Sequence, residues 1–245
     1  MFEKLAEMEY PGRVIIVGQN NDGLAVALYA ITGRSESSQA RRLVMSEDQK
    51  GIIVQPTDKE LLKKGDPDLL VYPAIVLKGA HIVISNGKQT ESLADVISQG
   101  VNLKDMTYSG LKAKGWNWKY EPDKPNYTPR INGCIYKDEA ILFTLFHCKD
   151  GSVGTGLDLF DFEKGKGKIL STYTGENKDP LPSFTRLPIE VGLNFDTIKD
   201  TVEAMYDTLS PNGSNPDFRV SVAGVSYKHG EPHFREVYIK NRHDS

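Results

Sequence analysis

Cysteine is scarce in this chain, with only Cys134 and Cys148 among 245 residues. Thirteen residues separate the two and no CxxC occurs, which excludes a disulfide framework and a zinc-ligand pattern and leaves a buried thiol as the expectation. Long apolar runs are lacking too. The longest, Val14 to Gly18 and Leu69 to Leu77, are strand-sized and fall short of the roughly 18 residues that cross a bilayer. The opening MFEKLAEMEYPGR is slightly acidic and has no apolar h-region, which argues against a secretory or transit peptide and for a cytoplasmic chain. Nor is there an excess of positive charge: 30 Lys and Arg stand against 33 Asp and Glu, a net charge of −3, with no dense basic tract to hold a nucleic acid. Any bound anion is expected to be small, with neither nucleic acid nor membrane as partner.

Short strand-like runs are abundant. Arg13–Gly18 and Leu24–Thr32, separated by the turn signal NNDG, read as a hairpin. Further strands are expected over Arg42–Ser46, Gly51–Val54, Leu69–Leu77, His81–Ser85, Asn132–Tyr136, Ala140–Cys148, Val153–Phe162, Lys168–Thr174, Phe218–Tyr227 and Phe234–Lys240. Helical signals are fewer. Thr57 and Glu60 have capping-box spacing before Asp58–Lys64, Thr90–Gln99 places Leu93, Val96 and Ile97 on one face, and Asn194–Leu209 repeats apolar residues every three or four positions. Strands in runs with a few amphipathic helices predict an α+β architecture, most simply two packed sheets with helices on the outer faces. No linker or repeat divides the chain. One domain over 1–245 is expected, with 1–12 as an N-terminal extension.

The densest polar cluster is ITGRSESSQARR, Ile31 to Arg42. Its arginines, serines and Gln39 suit a phosphate, with Gly33 allowing close backbone approach, although a solvated charged loop has the same composition. It is not a P-loop, because GxxxxGK[ST] is missing. A second cluster, YEPDKPNYTPRI (Tyr120 to Ile131), interleaves Glu121, Asp123, Asn126, Tyr127 and Arg130 with three prolines that stiffen an irregular loop. It reads equally as a surface excursion. Tyr72, directly before Pro73, must be extended within an apolar strand, and Asn86-Gly87 ends the strand HIVIS as a turn. His229 and His233 have zinc-helix spacing, but Gly230 and Pro232 exclude that helix, and GSVGTG (Gly151 to Gly156) lacks the dinucleotide order and reads as a hairpin turn.

The succession PGRVIIVG, ITGRSESSQAR, VYPAIVLKG, HIVISNGKQTE and EPDKPNYTPRI resembles the archaeal-type inosine monophosphate (IMP) cyclohydrolase family, in order and at compatible spacing, over Gly12 to about Tyr238. The resemblance implies a four-layered αββα sandwich like that of N-terminal nucleophile hydrolases. It also implies closure of 5-formamidoimidazole-4-carboxamide ribotide (FAICAR) to IMP with loss of water, the last step of purine synthesis. By matched position it implies Tyr72 and Glu121 as the acid/base pair, Glu121 as base and Tyr72 as donor or the reverse, with Arg34 beside the reacting carbonyl. It further implies Arg41 and Arg130 at the 5′-phosphate and Asn86 and Asn126 at the ribose or ring, while Arg42 is a solvated neighbour. No metal or redox cofactor is expected, because the formyl group arrives already attached.

One departure from those hydrolases matters: Tyr10-Pro11-Gly12, not a nucleophile, precedes the first strand, which argues against amide hydrolysis by that route. Two alternatives stay open. A non-catalytic purine-nucleotide-binding protein on the same scaffold would keep the arginines without acid/base groups, and an amidohydrolase would need a base-activated Ser or Cys at the cleft. Homo-oligomerisation also stays open.

Overall fold

A computed structural model describes residues 2–58, 71–97, 99, 102–103, 105, 109, 111–112, 118–211 and 213–244. Among them are strands β1 (Arg13–Gln19), β2 (Ala25–Thr32), β3 (Arg41–Met45), β4 (Gly51–Pro56), β5 (Tyr72–Lys78), β6 (His81–Ser85), β7 (Arg130–Tyr136), β8 (Glu139–His147), β9 (Val153–Asp161), β10 (Lys166–Ser171), β11 (Ile189–Gly192), β12 (Arg219–Tyr227) and β13 (Glu236–Asn241). The helices are α1 (Glu3–Ala6), α2 (Glu36–Gln39), α3 (Gln89–Ile97) and α4 (Ile198–Thr208). Two antiparallel sheets result, one of six strands in the order β11-β10-β1-β2-β12-β13 and one of seven in the order β3-β4-β5-β6-β7-β8-β9.

The unbroken apolar character of β1 and β2 decides this arrangement. Successive strand side chains point to opposite faces, so a strand apolar at every position must be covered on both. In β1, Ile15 and Val17 join Tyr29 and Ile31 of β2 in a core shared with Ile52, Val54, Ala74 and Ile84 of the other sheet. The alternate residues Val14, Ile16, Val26 and Leu28 face outward against Ile198, Val202 and Met205 of α4. On the far side, Val83, Cys134, Ile141 and Phe143 pack under Leu93 and Ile97 of α3. Each sheet thus has one face in the shared core and one face under a helix. The edge strand β9 lacks this double cover, and along most of it half-buried and exposed positions alternate, leaving Leu157 and Leu159 exposed.

All the strands expected from sequence are present, with bounds within about three residues, except that the start expected at Leu69 lies outside the described residues, as does all but Asp58 of the helix expected over Asp58–Lys64. The strand β11 was not anticipated; it holds only four residues and pairs with β10 at the sheet edge. The helix expected from Asn194 begins instead at Ile198, because Thr197 is extended and its side chain accepts from the Asp200 N–H, while Phe195 stacks on Phe2 at 5.7 Å. In GSVGTG only the first residues form the turn, and Val153 to Gly156 belong to β9. The segment from Phe2 to Gly12 packs into the fold: Phe2 and Leu5 are buried with α4, and the Tyr10 N–H donates to the Gly175 carbonyl at 2.9 Å. Of the two thiols, Cys134 is buried and Cys148 half-buried. No helix among the described residues is long and apolar enough to cross a membrane.

Met205 is fully buried between α4 and the six-stranded sheet. Met205→Ala keeps helix propensity but removes this packing, and it is expected to cost about 2–5 kcal/mol of unfolding free energy in urea titration.

Candidate active site

Antiparallel order brings the starts of β1, β3, β5 and β7 and the ends of β2, β6 and β10 to one end of the two sheets. Each contributes polar residues there: Arg13, Arg41, Tyr72 and Arg130 from the starts, Arg34, Asn86 and Thr172 from just beyond the ends. Together with the loop from Glu121 to Thr128 they line a cavity of about 690 Å³, a volume suited to a small ligand. Tyr72, Glu121, Arg34, Arg41, Asn86, Asn126 and Arg130, all singled out from sequence, lie in its wall.

One side of the cavity is a closed polar network. Arg130 is buried and forms a two-pronged ion pair with Glu121, through Nη1 to Oε1 and through Nη2 to Oε2 at 3.1 Å. Its Nη1 also donates to Gln89 Oε1 and its Nε to the Lys119 carbonyl, each at 2.9 Å. Asn86 is similarly committed: Nδ2 donates to the Pro129 carbonyl at 2.8 Å, and Oδ1 accepts from the Ile131 N–H and from Gln89 Nε2 at 3.0 Å. These bonds fasten the proline-rich loop to the end of β6. Arg130 and Asn86, expected from sequence to meet the ligand directly, are thus occupied with holding Glu121 and its loop. Gly87 is required beside them, since a Cβ there would stand 2.5 Å from Gln89 Oε1. Asn126 ties two loops together, its Oδ1 accepting from the Leu181 N–H at 2.9 Å.

The opposite side carries unneutralised charge. No carboxylate among the described residues pairs with Arg13 or Arg41. Arg13 Nη1 donates to the Thr32 carbonyl at 2.9 Å, whereas the buried Nε of Arg41 has no partner. Tyr72 and Tyr29 lie between these cations, their hydroxyls 3.0 Å apart. Burial pushes the Tyr72 phenol up, but the positive charges of Arg13 and Arg41, together with the hydrogen bond to Tyr29, outweigh it and hold its pKa below the ordinary phenol value. Tyr29 goes the other way, pushed well above that value by burial and by Tyr72. Burial disfavours the charge on Arg13 but Tyr72, Tyr29 and Tyr10 more than compensate, so its pKa is raised; burial and repulsion by Arg13 lower that of Arg41.

Arg34 lies at the rim, donating from Nη1 to Asn177 Oδ1 and to the Lys178 carbonyl at 3.1 Å, with its guanidinium carbon 5.3 Å from the Tyr10 ring centre. The neighbouring serines are largely self-satisfied: Ser35 and Ser38 form a capping box on α2, and Gln39 bonds the Gly33 carbonyl. The close approach that Gly33 permits is taken by Ser38, whose atoms would stand 2.7 Å from a Cβ there. Arg42 is exposed. Deeper in the wall, Tyr173 shares a 2.7 Å hydrogen bond with Thr128, and burial pushes its phenol up to about 12.

Sequence reasoning missed Arg13, Tyr29 and Tyr173. Arg13 is the one charge opening an otherwise apolar strand, a signal that was present; Tyr29 and Tyr173 look like ordinary strand and turn aromatics. No histidine or cysteine lines the cavity.

A model of the family described as IMP cyclohydrolase-like protein matches residues 10–242. An IMP cyclohydrolase of Methanococcus maripaludis strain S2 is 30% identical over 165 residues, 67% of this chain and 74% of its own. That of Methanopyrus kandleri is 27% identical over 209 residues, 80% of this chain and 99% of its own. That of Methanothrix thermoacetophila is 31% identical over 172 residues, covering 70% and 78%.

The Arg130 and Glu121 side chains are 6% and 12% exposed. Removing one partner strands a charge, so Arg130→Gln is expected to cost about 3–5 kcal/mol in guanidinium unfolding. The double variant Arg130→Gln/Glu121→Gln should recover part of that loss; an additive loss would mean the pair is not what holds the loop.

Proposed function

This chain belongs to the IMP cyclohydrolase-like protein family, and on that premise we propose that it closes FAICAR to IMP and water in the cavity at the end of its two sheets. The observation that carries the assignment of the site is the gathering of Tyr72, Glu121 and Arg34 around one cavity with Arg13 and Arg41. On the same reading the chain is one domain with the four-layered αββα, N-terminal nucleophile hydrolase-like arrangement, a reading supported by helices on both outer faces and a site at the start of β1.

The reaction is intramolecular. The carboxamide nitrogen of FAICAR attacks the formyl carbon, one N–H proton leaves that nitrogen, and the formyl oxygen gains a proton. The resulting carbinolamine then loses its hydroxyl as water together with the proton of the former formamide nitrogen. No covalent bond to the protein is needed. Holding the carboxamide over the formyl carbon can contribute about 7–11 kcal/mol in the best intramolecular cases.

The residues divide these tasks. Arg41, whose Nε lacks a partner, takes the 5′-phosphate. Glu121 accepts an N–H of the carboxamide and, fixed by Arg130, orients it. A carboxylate so tightly paired with a guanidinium is a weak base. Tyr72, whose pKa lies below the ordinary phenol value, is the better base of the two; on this reading its phenolate takes the proton and Arg34 donates to the formyl oxygen. This is the reverse of the first assignment made from sequence. Hydrolysis of an external amide fits poorly, since Ser35 and Ser38 are the serines of the wall and their hydroxyls cap α2 without a histidine beside them.

Purified protein is expected to convert FAICAR to IMP, followed by ultraviolet absorbance. Tyr72→Phe should lower kcat by about 10²- to 10⁴-fold while IMP still binds. Arg41→Met should raise KM by about 10- to 100-fold. Binding of IMP without turnover by the unmodified protein would support a nucleotide-binding protein instead.

The depressed Tyr72 pKa carries a sign. If the phenolate acts, kcat/KM rises with pH to a plateau through an inflection below the ordinary phenol value of about 10. A fall across the same inflection would make Tyr72 the proton donor.

A further inference from the structure

Tyr29 does not line the cavity. It is fully buried on β2, in the sheet opposite Tyr72 of β5, yet its hydroxyl meets that of Tyr72 at 3.0 Å. Most strand tyrosines turned into a sheet-to-sheet core find a backbone carbonyl; this one finds the phenol assigned above to the chemistry.

We propose that Tyr29 is a positioning residue for ring closure, donating its hydroxyl hydrogen to Tyr72 Oη so that Tyr72, and not Tyr29, is the member of the pair that presents a proton-accepting oxygen to the cavity. The proposal rests on the assignment of Tyr72 made above. The donor sense follows from what surrounds the pair. Arg13 and Arg41 both favour the charged form of Tyr72. A phenolate oxygen has no proton to give and can only accept, so the shared hydrogen belongs to Tyr29. The reverse sense would spend the Tyr72 proton on Tyr29 and oppose the charge that the two arginines favour on Tyr72.

The charged and titratable groups facing the pair agree with this sense. They are Arg13 on β1, Arg41 at the start of β3 and, through both arginines, Tyr10 ahead of β1. Both phenols feel the two cations, but once Tyr72 is charged it opposes a second ionisation at Tyr29. Of the two phenols, Tyr72 is therefore the one whose charged form is favoured, and it is the one that reaches the cavity.

The test is Tyr29→Phe, which keeps the ring and removes only the hydroxyl. Losing one hydrogen bond to a charged oxygen is expected to move the kcat/KM inflection upward by about one to two pH units, with the high-pH plateau rate and the affinity for IMP unchanged. A spectrophotometric tyrosinate titration, which needs no turnover, should show the lowest-titrating phenol move by the same amount, and Tyr72→Phe should abolish that step. If Tyr29→Phe slows the reaction equally at every pH and leaves the titration unchanged, the residue only fills space and the proposal fails. If Tyr72→Phe keeps full activity, it is the catalytic assignment of Tyr72 that fails, whatever the titration of Tyr29→Phe shows.

Discussion

Two guanidinium groups enclosed at one end of a pair of β-sheets, with no carboxylate between them, are the constraint on which the site depends. An isolated ion in such surroundings is expensive, and the usual remedy is an acidic partner. Among the described residues the one acceptor that Arg13 finds is the Thr32 carbonyl, and Arg41 Nε is unmet. What compensates is the acidity of phenols. A tyrosine is a poor acid in water, but two nearby cations favour its anion, and the same cations that would destabilise an apolar pocket hold the Tyr72 pKa below the ordinary phenol value.

The other side of the cavity is built on the opposite principle. Glu121 and Arg130 cancel each other, and Gln89, Asn86 and the Lys119 and Pro129 carbonyls satisfy what is left over. A fully connected network of this kind is rigid, because any one member that moved would leave a buried polar group unpaired. It converts a proline-rich loop into a fixed wall. The cavity therefore has a neutral side and a cationic side, a polarity that suits the anionic ribotide proposed as its substrate.

The architecture could be read from the sequence because it rests on local pattern. Continuous apolar strands such as Val14 to Val17 demand cover on both faces, and the periodicity of Ile198, Val202 and Met205 supplies it. The membership of the site came from a family resemblance over loops whose residues do converge. Roles were harder to read, because a polar side chain in a loop looks the same whether it meets a ligand or the protein. Asn86 and Arg130 were placed at the ligand but are engaged with backbone and Glu121, contacts made across more than 40 positions for Asn86. Arg13 and Tyr29 were passed over for the complementary reason: one opens a strand and the other fills it, and only the pairing of two sheets makes them neighbours of Tyr72.

Arg13 and Arg41 are not interchangeable in this scheme. A phosphate drawn to Arg41 brings its own negative charge and cancels much of that cation's pull on Tyr72. If Arg41 alone supported the phenolate, binding the ribotide would drive the Tyr72 pKa back up when a base is needed. Arg13 escapes this, since it is anchored to Thr32 of the neighbouring strand and its field stays directed at the phenol whether or not the site is filled. The hydroxyl of Tyr29 escapes it too, being buried behind Tyr72 and out of reach of the ligand. In the proposed reaction, recruitment of the anion and support of the base thus fall to different groups, and that separation would let an anionic substrate and an anionic catalyst occupy one small cavity.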